Sequence, residues 1–181
     1  MTPAAATAPA ADRRAHHAGM SKPAFIVLVT GGVVAVDQLT KWYVRHTLSL
    51  YASIPVIQGF FSITHARNPG GAFSLFAGAS DTVRMPFFFL ASAAAIGVLV
   101  YFLLQIAADQ RWLLFAVAGV LGGAVGNLID RLAFGQVTDF LLVYWRQYQW
   151  PAFNVADSFI TIGVIILIGH SFFAHDAKPS L

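Results

Sequence analysis

The sequence contains no cysteine and no glutamate, and only 10% of its 181 residues are charged. The absence of cysteine excludes disulfides, thiolate metal sites and a cysteine nucleophile. The absence of glutamate excludes the His-Glu-x-x-His motif of zinc peptidases. All eight acidic residues are aspartates. Acid–base chemistry must therefore come from aspartate, histidine, lysine or tyrosine.

Hydrophobic residues, in contrast, are abundant and make up 57% of the chain. Soluble domains carry roughly 25% charged residues, so this composition indicates a protein that lies in a lipid bilayer. The formal net charge is +3, but the basic residues are scattered along the chain and form no basic run. We therefore expect no nucleic-acid partner. The length is that of one domain.

Four apolar stretches are long enough to cross the hydrocarbon core as helices, which takes about 20 residues each. The predicted spans are about Pro23–Arg45, Met85–Ala108, Trp112–Asp130 and Val155–Phe173. Four spans place both termini on the same side of the membrane. Five basic residues lie on the side of the termini and six on the other side, so the positive-inside rule does not orient the protein.

The segments outside these spans divide into two tails and one surface segment. Residues 1–21 are rich in alanine and proline and lack apolar periodicity, so we expect a disordered tail there and a short tail at 176–181. The segment of about 47–84 contains two runs rich in β-branched and aromatic residues, Tyr51–Ile57 and Phe60–Thr64. These runs predict a small sheet at the membrane surface, between the first two spans.

Polar residues gather at one set of span ends, although each Asp, Lys or Arg at a helix centre costs about 2.5–3.5 kcal/mol in a bilayer. The groups are Asp37–Lys41, Asn68–Phe73, Gly122–Arg131, and Thr138–Phe140 with Phe153–Asp157. Because successive helices run in opposite directions, all these groups are expected at the same membrane face. Polar clusters in membranes mark functional sites, so we expect one at this face.

The third span combines small residues with two polar ones. Gly123 and Asn127 lie four positions apart, a spacing at which small residues let helix backbones approach closely. Asn127 and Asp130 share one helical face. Asp130 lies near a helix C-terminus, where the dipole disfavours an anion, so it needs a partner such as Arg131, Lys41 or the Asn127 amide. We expect Asp130 to belong to a structural network.

Two further aspartates allow both a structural and a catalytic interpretation. Asn154 and Asp157 have the spacing of an N-cap and its partner in a capping box. Asp139 is expected in a loop turn between aromatic residues. Together, however, two neighbouring carboxylates can share one proton because both cannot ionise at short distance. The ionised member can then accept a proton from water while the protonated member donates to a carbonyl, which is the chemistry of an aspartic peptidase.

Other kinds of active site and other classes of protein also need to be considered. A serine/lysine dyad could use Lys41 with one of four serines, Ser49, Ser53, Ser62 or Ser74, but no motif supports it. His46 and His65 lie on the polar face without metal-ligand spacing. A transporter or channel subunit would line a path through the bilayer, whereas these polar groups stop at one face and the second span is uncharged. A purely structural membrane protein would tolerate amides in place of Asp139 and Asp157.

Five motifs occur in an order that resembles the bacterial lipoprotein signal peptidases, or signal peptidase II family, over about residues 22–175. They are Asp37–Lys41; Asn68-x-Gly70 before Ala72-Phe73-Ser74; Gly126–Arg131; Val137-x-Asp139-Phe140; and Phe153-Asn154-x-Ala156-Asp157. One such motif is weak support, but five in order on four spans are specific. Pro69 and Gly71 depart from the family's usual pattern.

The resemblance implies an all-α membrane protein with four transmembrane helices and a small extracytoplasmic β-cradle between helices 1 and 2, covered by a mobile extracytoplasmic helix. It implies an aspartic endopeptidase that cleaves diacylglyceryl-modified prolipoproteins before the lipidated cysteine. The enzyme would be a monomer in the bacterial inner membrane, with both termini cytoplasmic and the active site near the periplasmic surface. It would contact membrane lipid and use no cofactor and no metal.

The resemblance also assigns roles to individual residues. Asp139 and Asp157 would be the catalytic pair, and Asp37 with Lys41 a structural pair beneath them. The substrate-binding or supporting residues would be Asn68, Gly123, Asn127, Asp130, Arg131, Asn154 and Ala156. From the small residues of the third span, including Gly123 and Gly126, we also expect grooves between helices that hold the substrate's acyl chains.

Overall fold

The computed structural model describes residues 20–70 and 80–175, which contain four helices and four strands. In chain order they are α1 (Lys22–Thr47), β1 (Ser53–Ile57), β2 (Phe61–Asn68), α2 (Asp81–Gln105), α3 (Arg111–Phe134), β3 (Val137–Trp145), β4 (Tyr148–Gln149) and α4 (Val155–His175). The predicted tails at 1–21 and 176–181 lie outside the described residues, apart from 20 and 21. Residues 71–79, within the segment of about 47–84 between the first two spans, also lie outside them.

All four helices are long and apolar enough to cross a membrane, which confirms the predicted number of spans. Ser21 caps α1 by accepting a hydrogen bond from the Ala24 N–H. Helix α3 runs beyond the predicted end at Asp130 and stops at Gly135, whose φ of 71° is left-handed. Glycine adopts that conformation without strain, so it ends the helix there. Asp130 is therefore a residue within the helix rather than at its end.

The strands form one antiparallel sheet in the order β1-β2-β3-β4. The sheet expected between helices 1 and 2 is confirmed, and β3 and β4, which follow α3, extend it. The expectation that Asp139 lies in a loop turn is wrong, because Asp139 is in strand β3 opposite Ala66. Val137–Trp145 is rich in β-branched and aromatic residues, which suit a strand that pairs with the distant β2.

Helix α3 is the central helix of the bundle. Its membrane-spanning window is 61% buried, compared with 11% or less for each of the other three helices, and α3 contacts all of them. Towards the end of the bundle where α1 begins, Leu103, Leu114, Val117 and Leu121 form an apolar core. Towards the opposite end, α3 reaches the sheet and the start of α4. The polar residues of the sequence collect at this second end.

Candidate active site

The described residues of the four predicted polar groups meet where α1, α3, β2, β3 and α4 come together. Most of their polar side chains are buried, although Asn68 is exposed and Asp157 is half-buried, and Lys41 is the largest of the fully buried side chains in the described residues. The buried polar residues of this region are Asp37, Lys41, Asn127, Asp130, Thr138, Asp139 and Asn154. Burial of this kind is tolerated only where each group has hydrogen-bonding or ionic partners. The partners therefore define the site.

Asp157 and Asn154 form a reciprocal cap at the start of α4. The Asp157 N–H donates to Asn154 Oδ1 at 2.9 Å, and the Asn154 N–H donates to Asp157 Oδ2 at 3.2 Å. This is the capping box expected from the spacing of the two residues. It satisfies backbone N–H groups that a helix start leaves unpaired. The cap holds the Asp157 carboxylate in one place.

The Asn127 side chain joins this cap to the buried ionic groups. Its Nδ2 donates to Asp157 Oδ1 at 2.8 Å, and its Oδ1 accepts from Lys41 Nζ at 2.9 Å and from Asn154 Nδ2 at 3.1 Å. Two donors on the oxygen leave the amide nitrogen as the group that faces Asp157. Lys41 therefore sets the direction in which Asn127 presents its N–H.

Asp139 is 2% exposed and receives amide donors on both carboxyl oxygens. Asn154 Nδ2 donates to Oδ1 at 2.7 Å, and Asn68 Nδ2 donates to Oδ2 at 3.0 Å. Burial, followed by the negative charge of Asp157, raises the pKa of Asp139 to about 7, while the two amide donors partly oppose that rise. Asn154 thus contacts both aspartates, through its side chain at Asp139 and through the cap at Asp157.

Asp37, Lys41 and Asp130 form a fully buried ionic group beneath the two aspartates. Lys41 Nζ lies 2.8 Å from Asp37 Oδ2 and 3.5 Å from Asp130 Oδ2. The other Asp37 oxygen accepts the Ala156 N–H at 2.9 Å, so a residue of α1 holds the start of α4. A lysine between two carboxylates in a dry interior offsets charges that would otherwise destabilise the fold.

Of the three candidate partners that the sequence offered for Asp130, Lys41 is the one whose side chain pairs with it. Three further contacts of Asp130 were not expected from the sequence. The additional partners are Gln38 Nε2 at 3.1 Å, Arg45 NH1 at 3.5 Å and the Thr138 N–H at 2.9 Å. One signal could have identified Arg45, because residues 37, 41 and 45 recur every four positions on one face of α1. Thr138 has no comparable local signal.

Arg131 points away from Asp130, towards α2. Its guanidinium lies 5.7 Å from the Phe88 ring centroid, and NH1 is 3.5 Å from Ser92 Oγ. Its charge still acts on Asp157 and Asp139. Arg131 also lines a mostly apolar cavity of about 420 Å³ between α2 and α3. This position leaves Arg131 at the border between the two aspartates and that cavity.

Gly123 and Ala156 are the contact point between α3 and α4. A Cβ on Gly123 would lie 2.5 Å from the Ala156 carbonyl oxygen, and one on Gly126 would lie 2.6 Å from Asp37 Oδ2. The sequence predicted that these glycines line grooves for acyl chains. That prediction is wrong, because neighbouring protein atoms fill the space beside them. Open cavities lie elsewhere. One lies beside Arg131. Another, of about 360 Å³, lies beside Asp157 and is lined in part by Trp150 and Phe153.

The serine/lysine alternative gains no support from the described residues. Lys41 is enclosed by Asp37, Asn127 and Asp130. Ser62 donates to the Tyr144 hydroxyl at 3.1 Å. Ser74 lies outside the described residues. His65 binds the Leu48 carbonyl through Nδ1, and no group of three His or Asp side chains that could hold a metal occurs within 20–70 and 80–175.

The fold and this arrangement define a multi-pass membrane protein with two amide-bound aspartates, Asp139 buried and Asp157 half-buried, at one end of its helical bundle. A family model described as signal peptidase (SPase) II matches residues 29–173. The chain belongs to that family, and it is a multi-pass bacterial membrane peptidase of lipoprotein processing.

Individual relatives and solved structures agree with this assignment. The lipoprotein signal peptidase of Desulforapulum autotrophicum is 52% identical over 149 residues, which cover 82% of this chain and 91% of that protein. The lipoprotein signal peptidase of Geobacter sulfurreducens is 50% identical over 143 residues, covering 79% and 88%. A solved structure described as a bacterial membrane enzyme, determined by the in meso method at 2.3 Å resolution, is similar with a TM-score of 0.75 and 34% identity, covering 86% and 93%.

Proposed function

We propose that this peptidase is an aspartic endopeptidase in which Asp139 and Asp157 activate one water molecule. Its substrates would be diacylglyceryl-modified prolipoproteins, cleaved just before the lipidated cysteine. The observation that carries the proposal is the contact of one residue, Asn154, with both aspartates. Two carboxylates held by the same residue are close enough for their charges to interact. Paired carboxylates that share a proton are the acid–base machinery of aspartic peptidases.

In the proposed reaction, one aspartate is ionised and the other is protonated. The ionised carboxylate accepts a proton from water as the water oxygen bonds to the scissile carbonyl carbon. The protonated carboxyl donates a hydrogen bond to the carbonyl oxygen and stabilises the charge that develops there. The C–N bond then breaks, and a carboxyl proton passes to the amine of the leaving cysteine. Because the pair titrates as a unit, the shared proton belongs to both residues.

The surrounding residues support this chemistry in distinct ways. Asn68, Asn127 and Asn154 donate hydrogen bonds to the two carboxylates, which favours the ionised form of the pair that accepts the proton. Asp37 and Lys41 hold the start of α4 and the Asn127 amide from below. We assign these roles as proposals, together with a structural role for Asp130 and for the Gly123–Ala156 contact.

The cavities beside Arg131 and Asp157 offer two apolar surfaces that flank the reacting groups. We propose that they receive the apolar parts of the substrate, its acyl chains and its signal-peptide segment. Arg131 would contact the polar groups between those parts, because a guanidinium is a multiple hydrogen-bond donor at an apolar border. We propose that both termini lie in the cytoplasm and that the site lies near the periplasmic surface. The even number of spans supports placing the termini on the same side, and the family resemblance supports the choice of side.

The test is cleavage of a diacylglyceryl-modified prolipoprotein by the purified protein in detergent, beside Asp139→Asn and Asp157→Asn. We expect wild-type cleavage, loss of cleavage in both variants, and no cleavage of the unmodified substrate. Asp109→Asn, in the loop between α2 and α3, is the matched control and should retain activity. Near-wild-type turnover by either active-site variant, with the protein folded, would show that the pair is not the catalytic group.

A further inference from the structure

We propose that Arg45 and Thr138 form a positioning pair that fixes strand β3 against the helices and so sets the place of Asp139. The inference rests on the proposed function, since it concerns how one of the two aspartates is held. Arg45 lies outside the five motifs, and Thr138 is the unspecified position of Val137-x-Asp139-Phe140, so the motifs assign a role to neither residue. Neither touches the Asp139 or Asp157 carboxylate in the described contacts, so both would act through the strand.

The N–H and the hydroxyl of Thr138 are bound by residues of two different helices. Its N–H donates to Asp130 Oδ2 of α3 at 2.9 Å, and its hydroxyl oxygen accepts from Arg45 NH1 of α1 at 3.2 Å. The same Arg45 nitrogen lies 3.5 Å from the other Asp130 oxygen. Arg45, Asp130 and Thr138 therefore form a closed set of contacts, in which each member touches the other two.

This set is well shielded from its surroundings. Thr138 is 4% exposed, the Asp130 side chain 0% and the Arg45 side chain 19%. The Arg45 guanidinium also lies 4.6 Å from the centroid of the Phe134 ring, which packs on its face. A hydrogen bond with a charged donor is stronger than a neutral one, and burial makes its loss more costly. The contact can therefore hold a strand in place.

The strand needs this anchor because its ladder is irregular beside Asp139. The pairing of β2 with β3 shifts between Ile63 and Ala66, and Ala66 is the partner of Asp139. At such an irregularity the ladder alone does not determine the local direction of the strand. Pairing resumes with Ala66 opposite Asp139 and continues with Arg67 opposite Thr138. The anchor on Thr138 thus acts on the residue next to the first pair beyond the irregularity.

The anchor on Thr138 affects Asp139 because the two residues are adjacent in the strand. Successive side chains of a strand point to opposite faces, so a fixed Thr138 hydroxyl towards α1 directs the Asp139 carboxylate to the other side. Asn154 Nδ2 spans both residues, at 3.4 Å from the Thr138 carbonyl oxygen and 2.7 Å from Asp139 Oδ1. A rotation of the strand at Thr138 would change the second of these contacts directly.

The experiment compares Thr138→Val and Thr138→Ser with wild type in the cleavage assay. Valine keeps the shape and the strand preference but removes the acceptor, so kcat should fall about 10- to 100-fold, as for other small misplacements of catalytic groups, while KM changes less than about twofold. Thr138→Ser keeps the hydroxyl and should restore most of the activity. Thr64→Val, a buried threonine on β2 whose hydroxyl donates to the Ala52 carbonyl, is the matched control and should keep wild-type kcat.

A double variant tests whether the two residues act together. Arg45→Gln should lower kcat to a similar extent, and Arg45→Gln with Thr138→Val should be no worse than Arg45→Gln alone, because one contact can be lost only once. Wild-type kcat in Thr138→Val, an equal loss in Thr138→Ser, or fully additive losses in the double variant would each overturn the inference. Should Thr138→Val fail to accumulate as folded protein, wild-type kcat in Arg45→Gln overturns it.

Asp139→Asn in the same assay separates this inference from the proposed function. An active Asp139→Asn enzyme would overturn both. An inactive Asp139→Asn enzyme, together with unchanged kcat in the Thr138 and Arg45 variants, would overturn the positioning pair alone.

Discussion

The two halves of helix α3 are both buried, yet they are held by different physical forces. In the first half, Leu114, Val117 and Leu121 pack against apolar side chains of α2 and its neighbours. In the second half, Asn127 and Asp130 are enclosed by charged and amide groups. Apolar packing depends on volume and tolerates small shifts, whereas hydrogen bonds depend on direction. The first half therefore stabilises the bundle, and the second half also orients groups within it.

Lys41→Met, in the ionic group beside the second half of α3, should have the greatest effect on stability. The change leaves the Asp37 and Asp130 carboxylates buried without their shared cation, so stability should fall by about 3–5 kcal/mol. Thermal unfolding in detergent measures it. The matched control is Lys22→Met near the first half, where the ammonium binds the Leu104 and Ile106 carbonyls at the end of α2 and its loss should cost less than about 1 kcal/mol. Equal losses would contradict the contrast.

A cavity in the first half should lower stability while leaving the site intact. Leu114 is fully buried in the apolar core, and Leu114→Ala should cost about 2–4 kcal/mol through lost contacts and an unfilled cavity. At a temperature where the variant is folded, kcat should remain at the wild-type value. A fall in kcat as large as that expected for a substitution beside Asp139 would show that the two halves are not separable.

Added volume at the joint between α3 and α4 should affect both stability and activity. Gly123→Ala would bring a methyl group against the Ala156 carbonyl and displace the start of α4, at a cost of about 1–3 kcal/mol. Because Asp157 follows Ala156, kcat should fall as well. Gly97→Ala in α2 is the matched control, since an added Cβ there would meet no atom of another element within 4 Å, and it should not lower stability. A neutral result for Gly123→Ala would contradict the close packing of the two helices.

The smallest expected effect is a shift of the pH–rate profile in Asn68→Ala. Under the proposed mechanism, activity needs one proton on the pair. Burial and the charge of Asp157 raise the pKa of Asp139 to about 7, so kcat should fall as the pH rises above that value. The Asn68 amide favours the ionised carboxylate and lowers that pKa. Its removal should move the alkaline limb to higher pH, by at most about one unit for one hydrogen bond. Ser62→Ala on the same strand is the control, and a shift to lower pH would contradict the assigned contact.

Composition and periodicity predicted the large features of the fold. The four helices follow from apolar runs of sufficient length, and the β1–β2 hairpin follows from its β-branched residues. The strand that carries Asp139 was not predicted, because its partner β2 lies far away in the sequence and only the tertiary fold brings them together. The capping box of Asn154 and Asp157 was predictable, since both partners are local.

The candidate site shows the same division between local and distant contacts. The convergence of the polar groups at one membrane face followed from the alternating direction of the helices alone. The spacing of residues 37, 41 and 45 could have identified Arg45 as a partner of Asp130. The pairing of Asp130 with the Thr138 N–H could not be read from spacing, because no local pattern links α3 to β3. The prediction of grooves beside Gly123 was wrong for a related reason. Small residues predict a close approach, but only the structure shows that α4 and α1 occupy the space.

Asp157 lies in the first turn of α4, the last of the four described helices to be synthesised, and it helps to close that turn. A ribosome delivers the chain from its N-terminus, so Asp139 and the ionic group of α1 and α3 reach the membrane before α4. The second carboxylate arrives only with α4, and it reaches its position only when that helix has begun to form. Under the proposed mechanism, proteolysis thus starts only after α4 has entered the membrane, and a nascent chain that still lacks α4 is inactive.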